Sequence, residues 1–218
     1  MAQHTVFVTG ATGYIGRALI PELQARGHRV RALVRPGSER RVPPGAELVL
    51  GNALDATSYR AGIAPADTFM HLVGTPHPSP AKARQFREVD LVSIRAAVDA
   101  ASHARMKHFV YLSVAHPAPV MAAYIAVRQA GEALLRVSDI PATMVRPWYV
   151  LGPDHRWPLA VLPAYWIMER LPPTRAMALR LGLVTLEQLV GALVHAVEHP
   201  PAELRVLNVP DIRALNPQ

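Results

Sequence analysis

Apolar positions along the 218-residue chain follow two rhythms. Short runs rich in β-branched residues predict strands at Thr5–Thr9, Arg29–Val34, Ala46–Leu50, Asp67–Val73, His108–Ser113, Ala142–Arg146 and Arg205–Val209. In the second of these, Val30, Ala32 and Val34 alternate with Arg29, Arg31 and Leu33. Helical spacing predicts helices over Tyr14–Arg26, Leu54–Gly62, Pro80–Arg105, Met121–Ser138, Leu159–Arg170 and Thr185–Glu198. The third places Phe86, Val89, Ser93, Ala96, Ala97, Ala100 and Ala101 on one face, small enough to lie flat on a sheet. Gly27-His28 stops the first helix, and a Pro/Gly/Arg-rich loop fills Arg35–Gly45. Strands alternating with helices over 150 residues imply an α/β fold, a doubly wound parallel sheet covered on both faces with right-handed crossovers. Such a sheet takes its ligand at the carboxyl ends of the strands. The expected division is a core over residues 1–150 and a small C-terminal lobe over 151–218, from which a helix and a strand return to the core.

Composition narrows the class. Half the residues are hydrophobic, and the length suits a well-packed globular unit. With no cysteine, neither a disulfide framework nor a thiolate metal site can form, which fits a reducing, cytoplasmic setting. The first strand begins by about residue 5, so no leader peptide is expected, and no apolar run reaches the eighteen residues of a membrane span. The formal charge of +7 is spread thinly, Arg40-Arg41 being the one adjacent basic pair, and no nucleic-acid motif accompanies it. A nucleic-acid partner is therefore not expected; the surplus suits a small anionic ligand.

The chemistry starts where the first strand meets the first helix. Gly10, Gly13 and Gly16 are spaced three apart, interleaved with Ala11, Thr12, Tyr14 and Ile15. Glycines let the backbone turn sharply and approach a ligand, while the new helix offers unpaired N–H groups and its positive dipole end to a phosphate. This predicts a dinucleotide pyrophosphate site on a Rossmann-type sheet. Nineteen residues after Gly16, at the end of the second strand, stands Arg35. An acid there would bond a ribose 2′-hydroxyl; an arginine suits the 2′-phosphate of NADP, so NADP is preferred, with NAD as the alternative. Arg40 or Arg41 could serve the same end.

Four segments together resemble the atypical and extended short-chain dehydrogenase/reductases, nearest to the small epimerase-like and NmrA-like NAD(P)-binding proteins. They are Thr9-Gly10-Ala11-Thr12-Gly13-Tyr14-Ile15-Gly16, Gly51-Asn52-Ala53-Leu54-Asp55, Phe109-Val110-Tyr111-Leu112-Ser113-Val114, and Arg146-Pro147 followed by Gly152-Pro153. The likeness spans roughly residues 4–153 and resumes at Val184–Pro200. It implies that Asn52 and Ala53 flank the adenine, in a position where the family usually has Gly-Asp-hydrophobic. It also implies that Leu72, Val73 and Gly74 line a ribose, and that the turn Pro147-Trp148, with Val150 beyond it, meets the nicotinamide.

The family's catalytic set is a Ser or Thr ending the fifth strand and a Tyr-x-x-x-Lys on the next helix. Ser113 and Tyr124 match, but the lysine is replaced, giving Tyr124-Ile125-Ala126-Val127-Arg128. Positions four apart share a helix face, and a phenol exchanges a proton near neutrality only beside a cation. Arg128 can supply that charge and bond ribose hydroxyls, but it cannot release a proton. The resemblance thus implies an NAD(P)-dependent oxidoreductase acting on an unidentified small carbonyl or alcohol, hydrophobic ones included. Tyr124 exchanges the proton, Ser113 orients the oxygen and Arg128 holds the ribose. The alternative is a catalytically weak NADP(H)-binding regulator, redox sensor or assembly factor. Sugar-nucleotide epimerase chemistry ranks lower, since the chain beyond residue 150 is short for such a lobe. In this family the helices over 80–105 and 121–138 often form a dimer interface, so a homodimer is allowed for.

His195-Ala196-Val197-Glu198-His199 has a metalloprotease pattern, yet His199 precedes Pro200-Pro201, and a helix C-terminus favours histidine by its dipole alone, so no metal site is expected. His71, His77 and His116 fall at strand ends, and one of the three is expected to line the pocket. Trp157, Tyr165, Trp166, Ile167 and Met168, beside Arg156, Arg170 and Arg175, read as packing and pocket lining ahead of membrane contact.

Overall fold

The computed structural model describes residues 3–153 and 172–215. Seven parallel strands form one sheet in the order β3-β2-β1-β4-β5-β6-β9: β1 (Thr5–Thr9), β2 (Arg29–Val34), β3 (Glu47–Leu50), β4 (Thr68–His71), β5 (His108–Leu112), β6 (Ala142–Val145) and β9 (Leu204–Leu207). The order reverses between β1 and β4, which opens a crevice at their carboxyl ends. A separate parallel pair, β7 (Tyr149–Leu151) with β8 (Leu183–Thr185), sits beside it.

Side-chain alternation divides the core between the two faces of the sheet. Val6, Val8, Val30 and Ala32 pack under α1 (Tyr14–Ala25) and a later helix, Leu186–Glu198. Phe7, Leu33, Phe69 and Phe109 pack on the other side against Ile94, Ala97, Ala100 and Ala101 of α2 (Val92–His103). In-register pairing aligns Phe7, Phe69 and Phe109 across three strands, with ring centroids 5.2 and 5.0 Å apart. The remaining helices are α3 (Ala122–Arg136), α4 (Pro172–Arg180), α5 (Leu186–Glu198) and α6 (Val209–Leu215). α1 ends as the glycine predicted: Gly27, at φ +83°, donates to Gln24 O while His28 donates to Leu23 O, a Schellman closure. Thr185 and Gln188 form a capping box on α5.

Two elements depart from expectation. In place of a helix over 54–62 there are two 3-10 turns, Ala56–Ser58 and Arg60–Gly62, since Asp55 caps the first and Gly62 ends the second. The long helix expected from Pro80 is broken: a 3-10 turn (Pro80–Lys82) and one α-turn (Ala83–Gln85) lead into a π-turn (Phe86–Leu91) before α2 begins. β7, β8, α4 and α6 had no forecast. The expected helix over 159–170 and the aromatic cluster from Trp157 to Met168, with Arg156 and Arg170, lie outside the described residues. No helix among the described residues is long and apolar enough to cross a membrane.

Candidate functional site

The glycine turn lies at the crevice. Gly10 follows β1 with φ +80°, and a Cβ there would stand 2.8 Å from the backbone carbon of Leu72, at the end of β4. A Cβ on Gly16 would stand 2.5 Å from Gly10 O and 2.8 Å from Ala11 Cα. Gly13 closes the turn by donating to Gly10 O at 3.0 Å and acts as N-cap of α1. That helix starts with no side-chain cap and no acidic residue in its first turn. Its leading N–H groups and dipole are thus left for an anion, and the cradle has room for one only because Gly10 and Gly16 lack side chains. Ala11 is buried beneath, Thr12 and Ile15 are half-buried, and the Tyr14 ring closes against Gly152 beyond β7.

Arg35 leaves the end of β2 exposed, beside β1 and so one strand from the crevice, with Arg40 and Arg41 exposed on the adjoining 3-10 turn. At the end of β3, Asn52 Oδ1 accepts from Leu54 N at 3.1 Å, and its amide NH2 has no partner among the described residues; Ala53 packs into the core beneath it. Pro147 is buried and its carbonyl holds Ala115 N. Trp148 meets Tyr149 edge-on, and Val150 is half-buried in β7.

Tyr124, Arg128 and Glu132 lie at i, i+4 and i+8 of α3 and share one face. Tyr124 is half-buried and tilts against Phe86 at 5.0 Å. The Arg128 guanidinium lies 5.1 Å from the Tyr124 ring centre and 5.8 Å from that of Tyr111. Arg128 is 4% exposed: Nη2 donates to Asp90 Oδ1 at 2.7 Å, and Nη1 to Leu112 O at 3.1 Å and Val73 O at 3.3 Å. Its Nε–H has no protein partner among the described residues. Burial opposes its charge, yet Tyr124, Tyr111 and Asp90 hold its pKa above the ordinary value. Burial pushes the Tyr111 phenol up to about 12.

Ser113, also buried, donates its hydroxyl proton to Glu132 Oε1 at 2.7 Å. Glu132 further accepts from Arg146 Nε at 2.8 Å and from Arg146 Nη2. Burial alone would raise its pKa, but the hydrogen bonds from Arg146 and Ser113 hold it below the usual range. A hydroxyl whose proton is committed in this way presents lone pairs, and so meets a donor rather than an acceptor. Sequence reasoning singled out neither Glu132 nor Asp90. The i+8 spacing from Tyr124 was a usable signal for Glu132; Asp90 had none, because the π-turn that delivers it breaks the 3.6-residue rhythm.

Of the three strand-end histidines, His71 is fully buried in β4, its Nδ1 2.9 Å from Thr9 Oγ1 and its Nε2 3.4 Å from Ser93 Oγ. His77 is exposed at φ +48°; His116 is half-buried, with Nε2 3.6 Å from Glu132 Oε1. His195 and His199 stack at 4.1 Å, and His199 Nδ1 turns to the His195 carbonyl. Burial, with Arg128 adding to it, lowers the pKa of His71 from 6.5 to about 3. Below pH 6.5 the unfolded chain binds a proton that the folded His71 refuses, so stability is lost as pH falls from about 6.5 toward 3. The thermal midpoint is expected to drop across that range, and more gently in His71→Asn; parallel curves would show that His71 does not set the slope.

The profile of the NAD(P)H-binding family matches residues 10–156. The chain is 29% identical to a ceramide reductase of Caulobacter vibrioides, with 97% of this chain and 66% of that protein aligned. It is also 29% identical to 4-hydroxy-2-methyl-3-oxo-4-farnesyl-3,4-dihydroquinoline-1-oxide ketoreductase of Stigmatella aurantiaca, with 68% and 51% aligned. The chain therefore spans about two thirds and about half of the length of these two curated relatives. Among solved structures, the Bordetella bronchiseptica enzyme WbmH in complex with NAD+ superposes with a TM-score of 0.70 at 21% identity, covering 95% of this chain and 76% of that one. A UDP-galactose 4-epimerase gives 0.70 at 22%, covering 93% and 76%. These two share the fold.

Proposed function

We propose, from the premise that this chain belongs to the NAD(P)H-binding family, that it is an NADP-dependent oxidoreductase of the short-chain dehydrogenase/reductase type acting on a hydrophobic carbonyl or alcohol. The observation that carries the reading is the pairing of an uncapped, acid-free helix start on a glycine cradle with Tyr124 over Arg128 on α3. The names of both curated relatives are those of reductases, and one carries a farnesyl chain, which supports the reaction class and the apolar substrate.

Gly10 through Gly16 would hold the pyrophosphate, the free amide of Asn52 the adenine edge, and Leu72, Val73 and Gly74 a ribose, with the Arg128 Nε–H as its donor. Pro147, Trp148 and Val150 would bound the nicotinamide, which supplies or accepts the hydride when bound. Tyr124 would exchange the proton with the substrate oxygen. Ser113, its own proton held by Glu132, would stand beside the substrate oxygen as an acceptor only, which leaves Tyr124 as the proton donor to a carbonyl. One observation favours a second reading, an NADP(H)-binding regulator: Arg128 is bound to Asp90 and cannot relay a proton.

Fluorescence titration with both reduced nucleotides, followed by a panel of apolar ketones and aldehydes, tests the proposal. Tight NADPH binding with turnover supports the reductase; tight binding with no turnover on any carbonyl favours the regulator; no binding removes both. Arg35→Ala is expected to weaken NADPH by about 10- to 100-fold, the worth of a charge-assisted phosphate contact, and to leave NADH unchanged. Equal losses for the two nucleotides would take the 2′-phosphate away from Arg35.

A further inference from the structure

We propose that Asp90 is a positioning residue of the dinucleotide site: with Arg128 it forms a buried clamp that fixes the backbone of Val73-Gly74-Thr75 beneath the bound nucleotide. The inference rests on reading the crevice as a dinucleotide site.

Asp90 is 1% exposed, delivered inward by the π-turn Phe86–Leu91. A carboxylate so deep is costly unless it is paired with a cation and both its oxygens are hydrogen-bonded. Here one oxygen accepts from Arg128 at 2.7 Å, and the other accepts from both the backbone N–H and the hydroxyl of Thr75, at 3.0 and 2.6 Å. Arg128 in turn donates to Val73 O at 3.3 Å and to Leu112 O at 3.1 Å. The loop after β4 is thereby gripped at the carbonyl of Val73 and the amide of Thr75. Gly74, between them, lies against the guanidinium so closely that a Cβ has no room. The same loop begins at Leu72, the residue against which Gly10 turns. A shift in it would reach the pyrophosphate cradle.

Arg128 meets the carboxylate from one nitrogen and the two carbonyls from the other, a spread that the three donors of one ammonium nitrogen on a shorter side chain do not reproduce. Arg128 where the resemblance implies lysine is therefore coupled to Asp90. The guanidinium thus serves as a strut through Nη1 and Nη2 while its Nε–H stays available to the ribose. Restoring lysine is expected to weaken nucleotide binding.

The test measures NADPH affinity by fluorescence, thermal midpoint, and hydrogen exchange at Gly74 and Thr75 in full-length protein. Asp90→Asn and Arg128→Lys are each expected to raise the NADPH Kd about tenfold and to speed exchange at these amides, with the double variant no worse than the poorer single. Thr75→Val, which spares the ion pair, should raise Kd about threefold and carries the test if Asp90→Asn fails to fold. A folded Asp90→Asn with a lower midpoint but wild-type Kd would overturn the proposal, as would Arg128→Lys binding NADPH more tightly or Thr75→Val changing neither Kd nor exchange. Failure of the wild type to bind either nucleotide would instead overturn the site assignment, and exchange at Gly74 and Thr75 would still report the clamp.

Discussion

Gly10→Ala is expected to weaken nucleotide binding by at least about a hundredfold while leaving a folded protein. Two costs fall on one methyl group. At φ +80° an alanine meets its own carbonyl, at about 1–2 kcal/mol. The methyl also stands 2.8 Å from Leu72 C and 3.0 Å from Val73 N, backbone atoms that cannot rotate away, for about 1–3 kcal/mol more. The turn must lift off β4 to relieve both, and that takes the helix N-terminus away from the phosphate it should meet. Gly27→Ala provides the control: the same left-handed strain at φ +83°, but nothing within 4 Å. It should cost about 1 kcal/mol of stability and leave Kd untouched. Calorimetric titration with NADPH, alongside thermal melts, separates the two. A folded Gly10→Ala with normal affinity would remove the glycine turn from the nucleotide site.

The contrast between these two glycines marks what a sequence discloses. Gly10 and Gly27 are both legible as turns, because a helix start and a helix end each leave a short, local signature. The seven strands of the main sheet were legible too, the central ones as short apolar runs buried on both faces, whereas the three-residue β7 and β8 were not. Long-range pairings were not. Asp90 and Arg128 are 38 residues apart, and nothing in either segment announces the other. The sequence could not choose among His71, His77 and His116 as pocket lining, because strand-end position says nothing of burial: every residue of β4 is buried, and the His71 ring serves Thr9 and Ser93 in the interior. The Leu54–Gly62 forecast failed for a local reason: Asn52 and Asp55 bond the backbone two residues on, which favours tight turns over a regular helix.

Tyr124→Phe is expected to lower turnover by about 10²- to 10⁴-fold while leaving the NADPH Kd within about twofold. The ring contributes packing: it tilts on Phe86 at 5.0 Å and covers the Arg128 guanidinium at 5.1 Å, and phenylalanine preserves both contacts. Only the hydroxyl is lost. Since Arg128 binds its partners through the guanidinium and not through that oxygen, the clamp and the nucleotide loop should survive. The effect would fall on kcat with KM for the nucleotide nearly constant, the mark of a group that acts in the transition state. Single-turnover oxidation of NADPH, followed by absorbance, reads it directly with whichever carbonyl the wild type reduces. Two results would redirect the assignment. Undiminished turnover would move the proton donor elsewhere, and a parallel loss of NADPH affinity would make Tyr124 a binding residue. Arg128 cannot yield a proton in its place, so no neighbouring side chain on that helix face short of Glu132 could mask the loss.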